Sequence, residues 1–270
     1  MIATTSLAAH LLPRSGRPSR RSARVVERNV AVARQIWLII VSGFFEPVFY
    51  LLSIGIGIGH LVGDVPYAGA MIPYREFVAP AMLASSAMNG AIFACTFNIY
   101  FRLKYQKTYD AIVATPVGVG DIVMGEIGWA LIRGLFYSVC FIGVMVALGL
   151  VQSWWALLAV PIAVLIGYAF AGMGMAGTSF MRSWKDFDYV TLAIMPLFLF
   201  SGTFSPLSAY PSSVRWVVRV TPLYQGVAME RSVVLGHVDG ALFAHAIYLA
   251  VAGSAGVIIA SRRIGRLLLR

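Results

Sequence analysis

Residues 154–178 read WWALLAVPIAVLIGYAFAGMGMAGT, and no side chain among them is charged. A helix rises about 1.5 Å per residue, so this stretch would extend roughly 37 Å. That length exceeds the hydrocarbon core of a bilayer, which is about 30 Å thick. We therefore predict that residues 154–178 form a membrane-spanning helix.

The rest of the chain has the same character. Of its 270 residues, 59% are hydrophobic and only 12% are charged, and the mean hydropathy is +0.81. A soluble domain normally carries about a quarter charged residues, so the composition excludes a soluble globular enzyme and a disordered chain. It predicts an all-α polytopic membrane protein. The six predicted spans are residues 36–62, 77–100, 122–151, 154–178, 189–204 and 242–260.

The basic residues predict the orientation of these spans. With the N-terminus inside, sixteen of the 21 Lys and Arg lie on the inner side and four on the outer side, with Arg133 at the boundary. The positive-inside bias then places both termini in the cytoplasm of a multi-pass protein of the cell membrane. The excess of basic residues indicates contact with anionic lipid rather than nucleic acid. The inner group is Arg14, Arg17, Arg20, Arg21, Arg24, Arg28, Arg34, Arg102, Lys104, Lys107, Arg182, Lys185, Arg262, Arg263, Arg266 and Arg270, and the outer group is Arg75, Arg215, Arg219 and Arg231.

Motifs for chemistry on this chain are scarce. The histidines are scattered without metal-ligand spacing, so we predict no metal site. Lys104, Lys107 and Lys185 follow Leu, Gln and Trp, so none completes a phosphate-binding G-x-x-x-x-G-K-[ST] loop. If ATP drives this protein, another chain must bind it.

Two segments outside the spans are informative. Residues 101–115, FRLKYQKTYDAIVAT, predict a helix with aromatic side chains near one face, ending near Ala114 because Pro116 disfavours helix at the residue before it. That helix is either a membrane-surface helix or a docking element for a soluble partner, and its composition does not separate the two. Residues 205–236 predict short helices, bounded by prolines and Gly236, that lie in the outer interface or dip partway into it.

Several polar residues within apolar runs need an explanation. Glu46 either faces a water-filled cavity or gate, or lies near the inner headgroups beside a proline. Glu126 and Arg133 are two turns apart on one face of a helix and predict a structural charge network. Asn89 and Asn98 could line a pathway or bond neighbouring helices.

Five stretches carry a family resemblance. The chain resembles the permease subunits of type-2 ABC exporters, in particular the branch of nodulation-factor and daunorubicin-type drug exporter permeases. The stretches are FFEPVFYLLSIGIGIG (44–59), FVAPAMLASSAMNGAIF (77–93), YQKTYDAIVATPVGVGDIVMGEIGWALIRG (105–134), LFLFSGTFSPLSAYP (197–211) and TPLYQGVAMER (221–231).

The resemblance implies an arrangement. A basic leader over residues 1–35 would contain an amphipathic connecting helix at Arg20–Arg34, and residues 36–270 would form a six-helix transmembrane domain. Residues 105–114 would be the cytoplasmic coupling helix, and residues 205–236 the outer re-entrant region. The residues implied to couple to an ATPase are Tyr105, Gln106, Lys107, Thr108, Tyr109 and Asp110.

The resemblance also implies partners and a function. Two copies of an ATP-binding subunit, holding ATP and Mg, would join this permease and a second one, identical or homologous, within membrane lipid. The complex would hydrolyse ATP and export an amphiphilic solute such as a drug, lipid or glycoconjugate, although this chain is no enzyme. Two alternatives are a scaffold or passive channel without an ATPase, and a membrane transferase that recruits Glu126, Asp186 and Asp188.

Overall fold

The computed structural model describes residues 20–35, 45 and 48–268, and these residues are mostly helical. Glu46 and much of the first predicted span lie outside the described residues. The elements are α1 (Arg20–Gln35), α2 (48–62), β1 (Asp64–Tyr67), β2 (Ala70–Pro73), α3 (Tyr74–Lys104), α4 (Thr108–Val113), α5 (Val119–Ala147), α6 (Trp154–Phe180), α7 (Phe187–Leu199), α8 (Ser212–Val220), α9 (Pro222–Leu235) and α10 (Ala241–Leu268).

Four of the described helices, α3, α5, α6 and α10, are long and apolar enough to cross a membrane. They include the stretch 154–178 and make the chain a polytopic, mainly α-helical membrane protein. Most of α3 is buried inside the bundle, whereas the apolar sides of α5 and α10 are largely exposed. Such exposed apolar sides are suited to lipid or to another membrane protein.

Helix α6 lies at the centre and packs against α3, α5, α9 and α10. Its crossing with α10 is a backbone contact made possible by glycines. A Cβ at Gly256 would lie 2.6 Å from the backbone nitrogen of Met173, and a Cβ at Gly172 would lie 3.1 Å from the carbonyl carbon of Gly253. Small residues allow membrane helices to approach this closely.

The structure differs from the predicted spans at α7. The sequence predicts a span over residues 189–204, but α7 has 13 residues and would extend only about 20 Å. Pro196 lies within its last turn, and the chain leaves the helix at Phe200. A count of six spans therefore does not follow from the described residues.

A β-hairpin also departs from the all-helical prediction. Strands β1 and β2 pair antiparallel, with Tyr67 opposite Ala70. The two turn residues, Ala68 and Gly69, both have positive φ, at 50° and 84°. Such a turn favours Asn-Gly, and Ala-Gly is a weak signal, which is why the sequence did not indicate the hairpin.

The described basic residues lie mostly at one end of the bundle. This basic end contains α1, the loop around α4, the start of α5 and the end of α10, where Arg263 donates to the carbonyl oxygen of Ser179. The opposite end, the hairpin end, contains the β-hairpin, α8, α9 and the start of α10. The basic residues there are Arg75, Arg215, Arg219 and Arg231.

Candidate functional site

A buried carboxylate organises the basic end. Glu126, in the first third of α5, is only 4% exposed. Arg28 of α1 donates from Nη2 to its Oε1 at 2.9 Å, and Arg102 of α3 donates from Nη1 to its Oε2 at 2.6 Å. Asn29 of α1 adds a third donor, with Nδ2 2.9 Å from Oε2. Charge-assisted bonds to one carboxylate thus join α1, α3 and α5.

The short helix α4 reaches the same cluster through Tyr109. This side chain is 1% exposed, and its hydroxyl makes no hydrogen bond of normal geometry. Burial, more than the nearby carboxylate of Glu126, raises the pKa of Tyr109 well above its ordinary value of 10.0. We call Arg28, Asn29, Arg102, Tyr109 and Glu126 the Glu126 cluster.

The position of α1 follows from its sequence. Val25, Asn29 and Ala33 are spaced by four residues and form its buried side, which packs on α5. The closest approach is at Gly125, where a Cβ would lie 2.6 Å from Cβ of Val25 and 2.9 Å from the carbonyl oxygen of Ser22. Glycine at position 125 therefore brings Arg28 and Asn29 within reach of Glu126.

The predicted coupling residues are divided by the fold. A helix over residues 105–114 is not observed: α4 spans Thr108–Val113, because Lys107 adopts a left-handed conformation with φ 48° that separates it from α3. Tyr105, Gln106, Lys107 and Asp110 are exposed and Thr108 is partly exposed, whereas Tyr109 faces the protein. Four of the six predicted coupling residues are thus exposed, whereas Tyr109 is buried against the Glu126 cluster.

Arg133, Asn89 and Asn98, which the sequence analysis also identified, lie outside the Glu126 cluster. Arg133 is not part of the Glu126 cluster but donates to the carbonyl oxygen of Gly90 at 3.4 Å. Seven residues of helix separate it from Glu126 by about 10 Å along the axis, and the two form no ion pair among the described residues. Asn89 and Asn98 are both exposed on α3.

The carboxylates considered for transferase chemistry have other roles. Glu126 is bound by two arginines, and Asp186 accepts hydrogen bonds from the backbone of Arg182 and Ser183 at a helix start. These backbone bonds lower the pKa of Asp186. Asp188 is exposed. Glu126 and Asp186 thus make structural bonds, and Asp188 lies at the surface.

Sequence reasoning missed a second buried charged site, on α9. Glu230 is 0% exposed, and neither of its oxygens has a hydrogen-bond partner among the described residues. Its neighbour Arg231 is 6% exposed and donates to the carbonyl oxygens of Phe77 and Gly202 at 3.1 and 2.9 Å. The signal was available, since both charges interrupt an apolar stretch, VAMERSVVL.

Arg28 and Arg102 were also missed as partners of Glu126. They are 98 and 24 residues away in sequence, so no helical spacing relates them to Glu126. Only the packing of α1 and α3 on α5 brings them together.

Comparisons with known proteins agree on one family. A family model described as ABC-2 type transporter matches residues 23–235. The chain is 35% identical over 193 residues to Nodulation protein J of Rhizobium leguminosarum bv. trifolii, covering 71% of this chain and 72% of that protein. It is 33% identical to Nodulation protein J of Rhizobium meliloti, covering 78% and 80%. It is also 23% identical to the inner membrane transport permease YadH of Escherichia coli, covering 75% and 78%.

Proposed function

Because the chain belongs to the ABC-2 type transporter family, we propose that it is the transmembrane permease subunit of an ATP-driven exporter. The observation that carries this proposal is the Glu126 cluster, which joins a surface helix to two membrane-crossing helices. A passive channel or scaffold needs no such connection. One relative, YadH of Escherichia coli, is named as an inner membrane transport permease, which supports the same proposal.

The energy source in this proposal is a separate subunit. The sequence has no phosphate-binding loop of its own. Two ATP-binding subunits, carrying ATP and Mg, would dock on the exposed residues before and within α4. A second permease, identical or homologous, would complete the complex, and the exposed apolar sides of α5 and α10 are suited to that contact or to lipid.

The basic end faces the cytoplasm in this proposal. The described Lys and Arg are concentrated there, and four basic residues lie at the hairpin end. The positive-inside bias then puts α1 and α4 on the side where ATP is available. The protein would lie in the plasma membrane with both termini in the cytoplasm.

Movement would pass from α4 into the membrane through the Glu126 cluster. Docked subunits that close on ATP would push the exposed side of α4, and Tyr109 would carry that displacement to Glu126. Because Arg102 and Arg28 hold the same carboxylate, α3, α5 and α1 would shift together rather than separately. The cargo we propose is an amphiphilic solute, a drug, lipid or glycoconjugate, that leaves the cytoplasm between two permeases.

The docking proposal is tested by affinity purification of the tagged chain from its native membrane. A copurifying protein with a phosphate-binding loop and ATPase activity is expected. The double substitution Tyr105→Ala, Asp110→Lys should reduce its recovery at least about tenfold, because both positions are exposed and the second reverses a charge.

The matched control is Trp216→Ala. Trp216 is 65% exposed on α8 at the hairpin end, against 59% for Tyr105, so the control removes a similar aromatic side chain from the other end. Equal recovery of the ATPase with both variants would overturn the docking surface. ATP-independent solute flux through vesicles containing the chain alone would overturn the exporter and support the passive channel.

A further inference from the structure

A polar cavity of 300 Å³ opens at the hairpin end. Its walls come from the β-hairpin, the loop before α8, helix α9 and the start of α10. Arg231 lines it together with Tyr67, Tyr224 and His237. The cavity lies apart from the Glu126 cluster, and no step of the proposed transport cycle uses it.

Arg231 is a buried cation that pairs with no carboxylate in the part of the chain that the structure describes. No Asp or Glu oxygen of the described residues lies within ion-pair distance of its guanidinium. Nε and Nη2 donate to the carbonyl oxygens of Phe77 and Gly202, and the guanidinium carbon lies 3.6 Å from the centre of the Phe77 ring. These contacts fix the guanidinium plane, while Nη1 makes no hydrogen bond to a described residue.

The acidic residue of the cavity already has a role. Asp239 lines the same cavity, but its Oδ1 accepts the backbone N–H of Ala241 at 3.1 Å and so caps the start of α10. Among the described residues, no carboxylate therefore serves as a dedicated counter-ion for Arg231. A buried charge of this kind is costly unless something of opposite sign binds it.

The other residues that line the cavity suit a small polar ligand. Tyr67 lies edge-on to His237, with ring centres 5.7 Å apart, and Tyr224 forms another aromatic wall. Ser208 stands at the exposed rim. Aromatic faces and hydroxyl groups around one fixed guanidinium favour a ligand with an acidic group on a hydroxylated body.

We propose that this cavity binds an oxyanion, a carboxylate or phosphate carried on a small polar molecule, with Arg231 as its principal ligand. The oxyanion belongs either to a soluble molecule or to a lipid headgroup, since both present the same chemistry to the guanidinium. The site does not depend on ATP or on a partner subunit.

The test uses the full chain in phosphatidylcholine nanodiscs. Inorganic phosphate and glucuronate serve as oxyanion probes and glucose as the neutral control, with binding followed by equilibrium dialysis and by the thermal unfolding midpoint. We expect saturable binding of an oxyanion probe, a rise in the midpoint by mass action, and no effect of glucose. Arg231→Gln should weaken binding at least about tenfold, because the charge-assisted bonds are lost.

A second variant covers the case in which Arg231→Gln does not fold. Ser208→Trp places a large side chain at the rim without touching Arg231, and Ser213→Trp makes the same change at an exposed position on α8 outside the cavity lining. Ser208→Trp should abolish binding and Ser213→Trp should retain it.

A lipid source is distinguished by a second nanodisc composition. If phosphatidylglycerol is retained by the protein in native mass spectrometry, and is lost with Ser208→Trp but not with Ser213→Trp, the oxyanion is a headgroup. Failure of phosphate, glucuronate and phosphatidylglycerol alike to bind, or equal binding to both tryptophan variants, would overturn the proposal.

Discussion

Glu126 at the basic end and Glu230 at the hairpin end are both buried, but their carboxylates have opposite surroundings. At the basic end Glu126 is held by Arg28, Arg102 and Asn29, which come from two other helices. At the hairpin end Glu230 is fully buried, and neither of its oxygens has a described partner. Its neighbour Arg231 bonds to backbone carbonyl oxygens instead.

The two glutamates therefore differ in what holds them: Glu126 bonds to neighbouring helices, whereas Glu230 is only packed among its described neighbours. The charge of Glu126 holds donors from α1 and α3 against α5, so its removal should weaken contacts among three elements. Glu230 can be held by packing alone as a neutral acid, because burial without a partner disfavours the ionised form. Replacing each glutamate by glutamine should therefore lower the free energy of unfolding by a large amount at Glu126 and by a small amount at Glu230.

Glu126→Gln should have the largest effect. The amide keeps the volume but leaves Arg28 and Arg102 without their counter-charge, and breaking a buried pair this way costs about 3 kcal/mol or more. The measurement is the free energy of unfolding of the purified protein in a mild detergent, by denaturant titration. The matched control is Asp110→Asn, the same chemical change at an exposed position, which should stay within about 0.5 kcal/mol of wild type. Equal losses in both variants would mean that the cluster does not stabilise the basic end.

Gly125→Ala should have the next largest effect. The new Cβ would lie 2.6 Å from Cβ of Val25 and 2.9 Å from a backbone oxygen of α1, so α1 must move away from α5. Overpacking of this kind costs about 1 to 3 kcal/mol. Limited proteolysis within Arg20–Gln35 should become faster.

The control for that prediction lies one turn further along α5. A Cβ at Gly128 would meet Cγ2 of Val26 at 3.6 Å, an ordinary contact. Gly128→Ala should therefore leave α1 in place and gain up to about 1 kcal/mol of helix propensity. If proteolysis of α1 is unchanged by Gly125→Ala, the close approach does not hold that helix.

The four long described helices could be predicted from the sequence, because an apolar run is a local signal. Long, predominantly apolar runs predicted the four long described helices, with ends displaced by a few residues, as at Tyr74–Lys104 against 77–100. The length of α7 was overestimated because the apolar run continues to Phe204, whereas the helix ends at Leu199. Hydropathy indicates whether a segment favours the membrane interior, but it says little about the residue at which a helix ends.

The site could be predicted only in part because its partners are distant in sequence. Spacing on one helix suggested Arg133 as the partner of Glu126, but the arginines that pair with Glu126 come from α1 and α3. Likewise, the orientation of Tyr109 depends on the left-handed Lys107, which gives no clear signal in a run such as YQKTYD. Helical periodicity predicts neighbours within one element and cannot predict contacts created by packing.

Glu230→Gln should have a small effect, in contrast to Glu126→Gln. No described donor or cation is lost, and the amide has nearly the volume of the acid. We expect the free energy of unfolding to change by less than about 1 kcal/mol. A loss as large as that of Glu126→Gln would show that Glu230 has an essential partner and that the two ends are alike.

Tyr109→Phe should have the smallest effect at neutral pH, below about 0.5 kcal/mol, because the buried hydroxyl makes no hydrogen bond of normal geometry. Its signature is at alkaline pH. Burial raises the pKa of Tyr109 in the folded state, so above its ordinary value of 10.0 the unfolded chain loses this proton first. Stability is then lost as pH rises, and Tyr109→Phe should lose less between about pH 10 and 11 than wild type. Parallel alkaline profiles would show that the ring of Tyr109 is not held in the Glu126 cluster.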